Sequence, residues 1–145
     1  MKKIIVITFI WIGFVGAISF MESWLKFQAP NMTTELGLGI GQLVFRALNI
    51  MEIIFLISIS VHIISLYNKE SKLIHYSFLI VVAIILIQTT WLLPILNERA
   101  EKIIQGITIS KSNAHLIYIL LEVIKIVCLF MFGIKLLKKL TVQNE

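Results

Sequence analysis

The amino-acid sequence predicts an all-α integral membrane protein, a four-helix bundle forming a single domain over residues 1–145, and three observations predict it. The first is composition. Of the residues, 59% are hydrophobic and 14% charged, where soluble domains hold about 45–50% apolar and about 25% charged residues. A soluble enzyme and a disordered chain are both excluded on that ground, and the mean hydropathy of +0.96 agrees. The second is that long uncharged stretches recur along the chain, on the scale of the ~20 residues a helix needs to cross a bilayer. The third is that these stretches are continuous Ile/Leu/Val runs without the alternation of a barrel strand. Only helices and closed barrels satisfy their backbone groups in lipid, so helices remain.

The spans are expected at about residues 4–26, 41–67, 73–97 and 113–137, with boundaries read from charge and hydropathy. Met1-Lys2-Lys3 followed by an apolar run with Ala17-Ile18-Ser19 near its end also resembles a cleavable secretory signal. The run is longer than the usual ~7–15-residue signal core, and Phe20, Trp24, Leu25 and Phe27 carry it onward. A retained first helix is therefore expected. Gly13 and Ala17 stand at the small-xxx-small spacing that lets membrane helices approach.

Between Glu22 and Gln42 lies the longest non-spanning stretch, with Pro30, Asn31, Thr33 and Thr34 followed by Gly37, Gly39 and Gly41. Trp24, Phe27 and Met32 suit the headgroup level, so an interfacial or re-entrant turn is expected. The glycine run lacks the preceding strand and spacing of a phosphate-binding loop. The second helix is read as starting near Gly41, where apolar residues surround Arg46, Asn49 and Glu52. A tight connection is expected from Asn68 to Lys72, and Ser110 to Asn113 make a polar start for the fourth helix.

Lys2, Lys3, Lys69, Lys72, Lys135, Lys138 and Lys139 fall on one side of such a bundle, and Lys26, Arg46, Arg99, Lys102 and Lys111 on the other. The first set is larger and the second is accompanied by Glu22, Glu35, Glu98 and Glu101, so the positive-inside rule places both termini in the cytoplasm. The net charge of +5 then reflects orientation and lipid headgroup contact. No basic cluster interleaved with aromatics supports nucleic acid as a partner. The one cysteine, Cys128, provides neither a disulfide nor a thiolate metal site.

Ionisable residues inside the spans carry the functional signal. His115, Tyr118, Glu122 and Lys125 step by three, four and three residues along helix four, the spacing of one inward face. Glu122 and Lys125 are close enough to pair. Gln42, Arg46, Asn49 and Glu52 repeat the pattern in helix two, Glu22 and Lys26 end helix one, and Gln88 offers an amide from helix three. With a rise of ~1.5 Å per residue, nearly all lie between the bilayer centre and the outer surface. A charge at mid-span costs ~2.5–3.5 kcal/mol even on lenient scales, so an internal, paired or wet network is expected.

The layout resembles the small four-helix membrane protein family that includes transmembrane protein 205 and bacterial relatives of unknown function. The residues carrying the resemblance are a Gly-containing first helix, a connection with Pro30, a Gly-rich approach to Phe45, a third helix ending at Pro94 and Arg99, and His115 opening a polar-faced fourth helix. It covers most of the chain, but Glu52, Glu122 and Lys125 match no family motif. It implies the fold and an undefined, transport-related role, with no catalytic residue.

The expectation is thus an inner (plasma) membrane protein of bacterial type with an outward-facing polar cavity that binds or transports a small polar or ionic solute. Arg46, Asn49, Glu52, Gln88, His115, Tyr118, Glu122, Lys125, Glu22 and Lys26 would line it. The alternative is a structural or assembly subunit, homo-oligomeric or joined to a partner membrane protein, whose charges only set helix packing. His115 with Glu122 or Glu52 is the one acid–base pairing for an enzyme, and no nucleophile or metal-ligand motif accompanies it. No cofactor is expected: His62, His75 and His115 fall at different depths, which disfavours haem.

Overall fold

The computed structural model describes residues 1–66 and 75–142. Within them the chain is helical, with four helices long and apolar enough to cross a membrane. They are α1 (Lys2–Gln28), α2 (Thr34–Leu66), α3 (Tyr76–Ile104) and α4 (Ala114–Val142). The helices form a ring in chain order, with α1 packed on α2 and α4, and α3 on α2 and α4. Ile4 and Ile5 of α1 share a core with Leu136 of α4, while Gly133 faces Thr8 and Phe9. These two helices therefore run antiparallel and bring Lys2 and Val142 toward the same end of the bundle.

Each helix buries a stripe set by its own periodicity. On α4 the buried residues Tyr118, Glu122, Lys125, Leu129, Phe132 and Leu136 recur by four, three, four, three and four, the seam of a packed bundle helix. On α3 the row is Phe78, Val81, Ile85, Gln88 and Leu92, and on α1 it is Ile4, Thr8, Trp11 and Val15. The opposite faces carry exposed Leu, Ile, Val and Phe, among them Val6, Leu43, Ile64, Leu79, Leu120 and Val127. Such a surface is incompatible with water and suits lipid, so the bilayer is the contact of these faces.

The helices are longer than the sequence suggested, and the reasons are local. The stretch expected to be non-spanning from Glu22 to Gln42 is mostly helix, leaving residues 29–33 as the connection between α1 and α2. Asn31 turns the chain at φ 62°, a left-handed conformation that asparagine tolerates. Thr33 then caps α2, its Oγ1 accepting from Leu36 N at 3.2 Å, which satisfies one of the free N–H groups at a helix start. α2 thus begins seven residues before Gly41.

α3 likewise continues past Pro94 and Asn97. Proline clashes with the carbonyl four residues back and has no N–H to offer. The helix accommodates Pro94 by widening over Gln88–Leu92, where Leu93 N donates to Gln88 O five residues earlier, a π-type turn. It ends where Gly106 adopts φ 75°, with Ile107 N on Lys102 O and Gly106 N on Ile103 O, both 2.9 Å. That is the glycine-terminated Schellman arrangement. The connection from Asn68 to Lys72 lies outside the described residues.

Two apolar clusters sandwich a thin polar layer. Toward the chain ends, Ile4, Ile59, Phe78, Leu129, Phe132 and Leu136 pack together, with the Phe78 and Phe132 rings stacked at 5.4 Å. Toward the other end, Leu92, Leu93, Ala114 and Tyr118 form a smaller cluster with Phe45 against it. Close helix approach occurs at Gly133, where a Cβ would stand 3.0 Å from the Phe9 ring. It does not occur at Gly13, which has nothing within 4 Å, or at the exposed Ala17.

Replacing Gly133 with leucine is therefore expected to overpack the α1–α4 contact and lower stability by about 1–3 kcal/mol. Gly13→Leu is expected to be close to neutral. Parallel thermal melts in detergent measure the difference, and equal melting of the two variants contradicts this packing.

Candidate functional site

The polar layer is built around Lys125, whose position in the α4 stripe directs its side chain inward. Three oxygens from three helices surround its Nζ: Glu52 Oε1 of α2 at 2.5 Å, Glu122 Oε1 of α4 at 2.9 Å and Gln88 Oε1 of α3 at 2.9 Å. Their number matches the three hydrogens of an ammonium group. Gln88 returns its Nε2 hydrogen to Glu122 Oε1 at 2.9 Å. The indole of Trp11 completes the ring from α1, donating Nε1–H to Glu52 Oε1 at 3.1 Å. Every one of these side chains is fully enclosed, with Lys125, Glu52, Gln88 and Trp11 at 0% exposure and Glu122 at 1%.

The bonding is lopsided. Both Oε1 atoms accept from two donors, whereas Oε2 of Glu52 and Oε2 of Glu122 are buried without a hydrogen-bond partner. Buried polar atoms are usually satisfied, so these oxygens mark where chemistry is left unfinished. Tyr118, one turn from Glu122, is 2% exposed.

Above this layer, toward the end away from the termini, the bundle opens. A chamber of about 20 Å³ is bounded by Ser19, Ser23, Phe45, His115, Tyr118 and Glu122. Room of this size holds about one water molecule. Ser19 Oγ is a further buried oxygen without a partner. Ser23, Phe45 and His115 also border a larger cleft of about 580 Å³, formed by the ends of α1 and α3 and the starts of α2 and α4. The described cleft wall combines Lys26, Arg99, Gln42 and Asn97 with Trp24, Phe27, Leu96 and Ile103, and it includes no carboxylate.

Local contacts hold the cleft's polar groups. Gln42 Nε2 donates to Asn97 O at 3.0 Å, tying α2 to α3. Lys26 lies 3.5 Å from Glu22 and within 5.7 Å of the Phe45 ring centroid, a cation–π distance. Its Nζ occupies the space over Gly41, where a Cβ would come within 2.9 Å. Arg99 donates to Ser110 O at 2.5 Å.

The residues singled out in the sequence thus divide into separate groups. Glu52, Gln88, Glu122 and Lys125 converge. Tyr118 and Glu122 reach the chamber, and His115 and Lys26 the cleft. Glu22 pairs with Lys26, and Asn49 donates to Thr89 Oγ1 at 2.8 Å outside the triad. Arg46 is exposed. At ~3.6 residues per turn, positions 46 and 52 stand about 120° apart around the helix, so the residue that shares a row with Gln42 cannot also face Glu52. The residues not anticipated are Trp11, which reads as an ordinary apolar position, and Arg99, Ser19 and Ser23, which fall at expected helix ends. Trp11 shares the stripe of Thr8 and Val15, and that spacing is the signal that points it inward.

Among the described residues, no three His, Cys, Asp or Glu side chains assemble as metal ligands. No family model, curated protein or solved structure matches the chain.

Removing one partner of a buried ion network leaves an uncompensated charge and costs about 3–5 kcal/mol. Lys125→Ala is expected to fall in that range, and Trp11→Phe to lose about 1.5–3 kcal/mol, the value of a hydrogen bond to a charged group. Denaturation in mixed micelles measures both. Wild-type stability in the Lys125 variant contradicts a network that holds the bundle together.

Proposed function

We propose that this membrane protein binds a small polar or ionic solute in the cleft, and that the solute is an amphipathic organic anion. The observation that carries the reading is the cleft wall itself. It supplies the cations Lys26 and Arg99 and the amides of Gln42 and Asn97 beside an apolar surface of Trp24, Phe27, Leu96 and Ile103, with no carboxylate in the described lining. Charge-assisted hydrogen bonds from such groups recognise a carboxylate or phosphate head, and the apolar wall takes a short hydrocarbon portion. The Lys and Arg bias of the chain supports an orientation with this end on the outer side of a plasma membrane and both termini in the cytoplasm. Passage of the solute across the bilayer requires the apolar packing around Phe78, Leu129 and Phe132 to part, since it closes the bundle below the polar layer.

A second reading treats the protein as a structural or assembly subunit whose charges only set helix packing. Its support is that the Lys125 ammonium finds three acceptors from within the bundle and that the whole network is enclosed.

The two readings separate by titration. Trp24 borders the cleft and serves as the responsive fluorophore in variants that lack Trp91, with the enclosed Trp11 as a constant background. Octanoate or octyl phosphate is expected to change its emission saturably, with octanol far weaker. Lys26→Gln and Arg99→Gln are each expected to weaken binding roughly tenfold or more, the equivalent of one charge-assisted bond. Equal affinity for octanol, or no response to any of the three compounds, rejects the anion-binding proposal and favours the assembly role.

A further inference from the structure

The buried triad does not balance. Glu52 and Glu122 supply two carboxylates and Lys125 supplies one ammonium, all within a shell that is at most 1% exposed. Fully ionised, it holds one uncompensated negative charge at mid-span, where hydrocarbon disfavours it strongly. The neighbouring groups do not supply the missing positive charge. From α1 the facing groups are Trp11, a neutral donor, and farther up the Glu22–Lys26 pair. α2 contributes Glu52 itself, since Arg46 is exposed. α3 contributes the neutral amide of Gln88. α4 contributes Tyr118 and, at the cleft, His115.

The two carboxyls differ in what surrounds their free oxygens. Both Oε2 atoms are buried and unpartnered, but Glu122 borders the one-water chamber, which also holds the unpartnered Oγ of Ser19 and leads past Ser23 and His115 to the cleft. The described chamber wall does not include Glu52, and the side toward the chain ends is packed with Val15, Ile59, Val81, Ile85 and Leu129.

We propose that Glu122 carries one exchangeable proton on Oε2, taken up and released through the chamber and the cleft. The triad then alternates between a neutral and a singly negative state, with exchange from one end of the bundle. On release, the O–H bond of the Glu122 carboxyl breaks, its electron pair stays on Oε2, and the proton passes to a water molecule entering the chamber from the cleft and onward to His115 or solvent. On uptake the same bond re-forms. A carboxylic acid at this position also gives Oε2 a hydrogen to donate to the water, which satisfies an oxygen otherwise left bare. A metal cation in the same space would find few side-chain ligands, because the described chamber lining offers the serine hydroxyls, Tyr118 and Glu122 as side-chain oxygens, short of the six or so that hard cations such as Ca²⁺ and Mg²⁺ take. The proton site shares the cleft with the proposed solute but needs no solute in it.

Infrared spectroscopy of the purified protein in lipid nanodiscs tests the proposal, because a protonated carboxyl absorbs apart from a carboxylate. One protonated carboxyl per chain is expected at neutral pH, shifting when the buffer is changed to D₂O. Glu122→Gln is expected to abolish the band. Glu52→Gln is also expected to abolish it, because the remaining Glu122–Lys125 pair is then balanced. Lys125→Met is expected to double it. Ser19→Leu, which fills the chamber, is expected to slow the deuterium shift. If a variant fails to fold, the wild-type band and its deuterium shift still decide the matter. No band in the wild type at neutral pH overturns the proposal, as does a band that survives both glutamate substitutions. Stabilisation of a band-free protein by sodium but not choline chloride also overturns it, by assigning the missing charge to a metal ion. A band intact in a protein that ignores octanoate supports the proton site and rejects only the solute.

Discussion

Lys125 has three hydrogens to satisfy at a depth where there is no bulk water to satisfy them, and the rest of the structure follows from how they are placed. Its acceptors come from α2, α3 and α4, and the indole of α1 reaches the same cluster through Glu52. One ammonium group thus fixes the rotation and depth of four helices at once. Apolar side chains do not do this in lipid, because hydrocarbon tails are as favourable a neighbour as another leucine. The clusters on either side give close packing, and the polar layer specifies register, the use of buried charge for which the best precedent exists.

The same constraint explains why the bundle is asymmetric along its axis. Below the polar layer, the stripes of α1, α3 and α4 meet as packed aliphatic and aromatic residues. Above it, the helices diverge around small and polar residues. Gly37 and Gly41 make room for Phe27 and Lys26, and Ser19 and Ser23 replace bulky residues on α1. α3 is widened at Gln88–Leu92 to pass Pro94, which places Gln88 at the triad and carries Leu96, Asn97 and Arg99 to the cleft. The turn that accommodates this proline is thus the feature that lets one helix serve both levels.

Much of the architecture was legible because it depends on periodicity. The α4 stripe from His115 to Lys125 and the pairing of Glu122 with Lys125 follow from steps of three and four residues. Glu52 and Gln88 follow from being the polar residues of otherwise apolar spans. Arg46 shows where such reading fails, since residues adjacent by step drift around the helix and its charge ends outside the bundle. Trp11 shows the converse: one N–H on a large apolar residue becomes a structural donor only when another helix presents an acceptor. The helix ends differ from the expected ones by up to seven residues, because a glycine run at residues 37–41 and a charged run from Glu98 read as boundaries and helix continues through both. A threonine cap and a π-type turn instead let helix continue.

What the sequence determined by itself is the solvent of this protein and the number of its spans: hydrophobic content, span length and the absence of alternation leave no other fold class. It also determined that charge lies inside those spans. Only the tertiary structure decided which charges meet, that two carboxylates share one lysine, and that this cluster is enclosed while the cleft above it is lined by other residues. Composition and periodicity act along one helix at a time, whereas the balance of a buried charge is a property of side chains contributed by four.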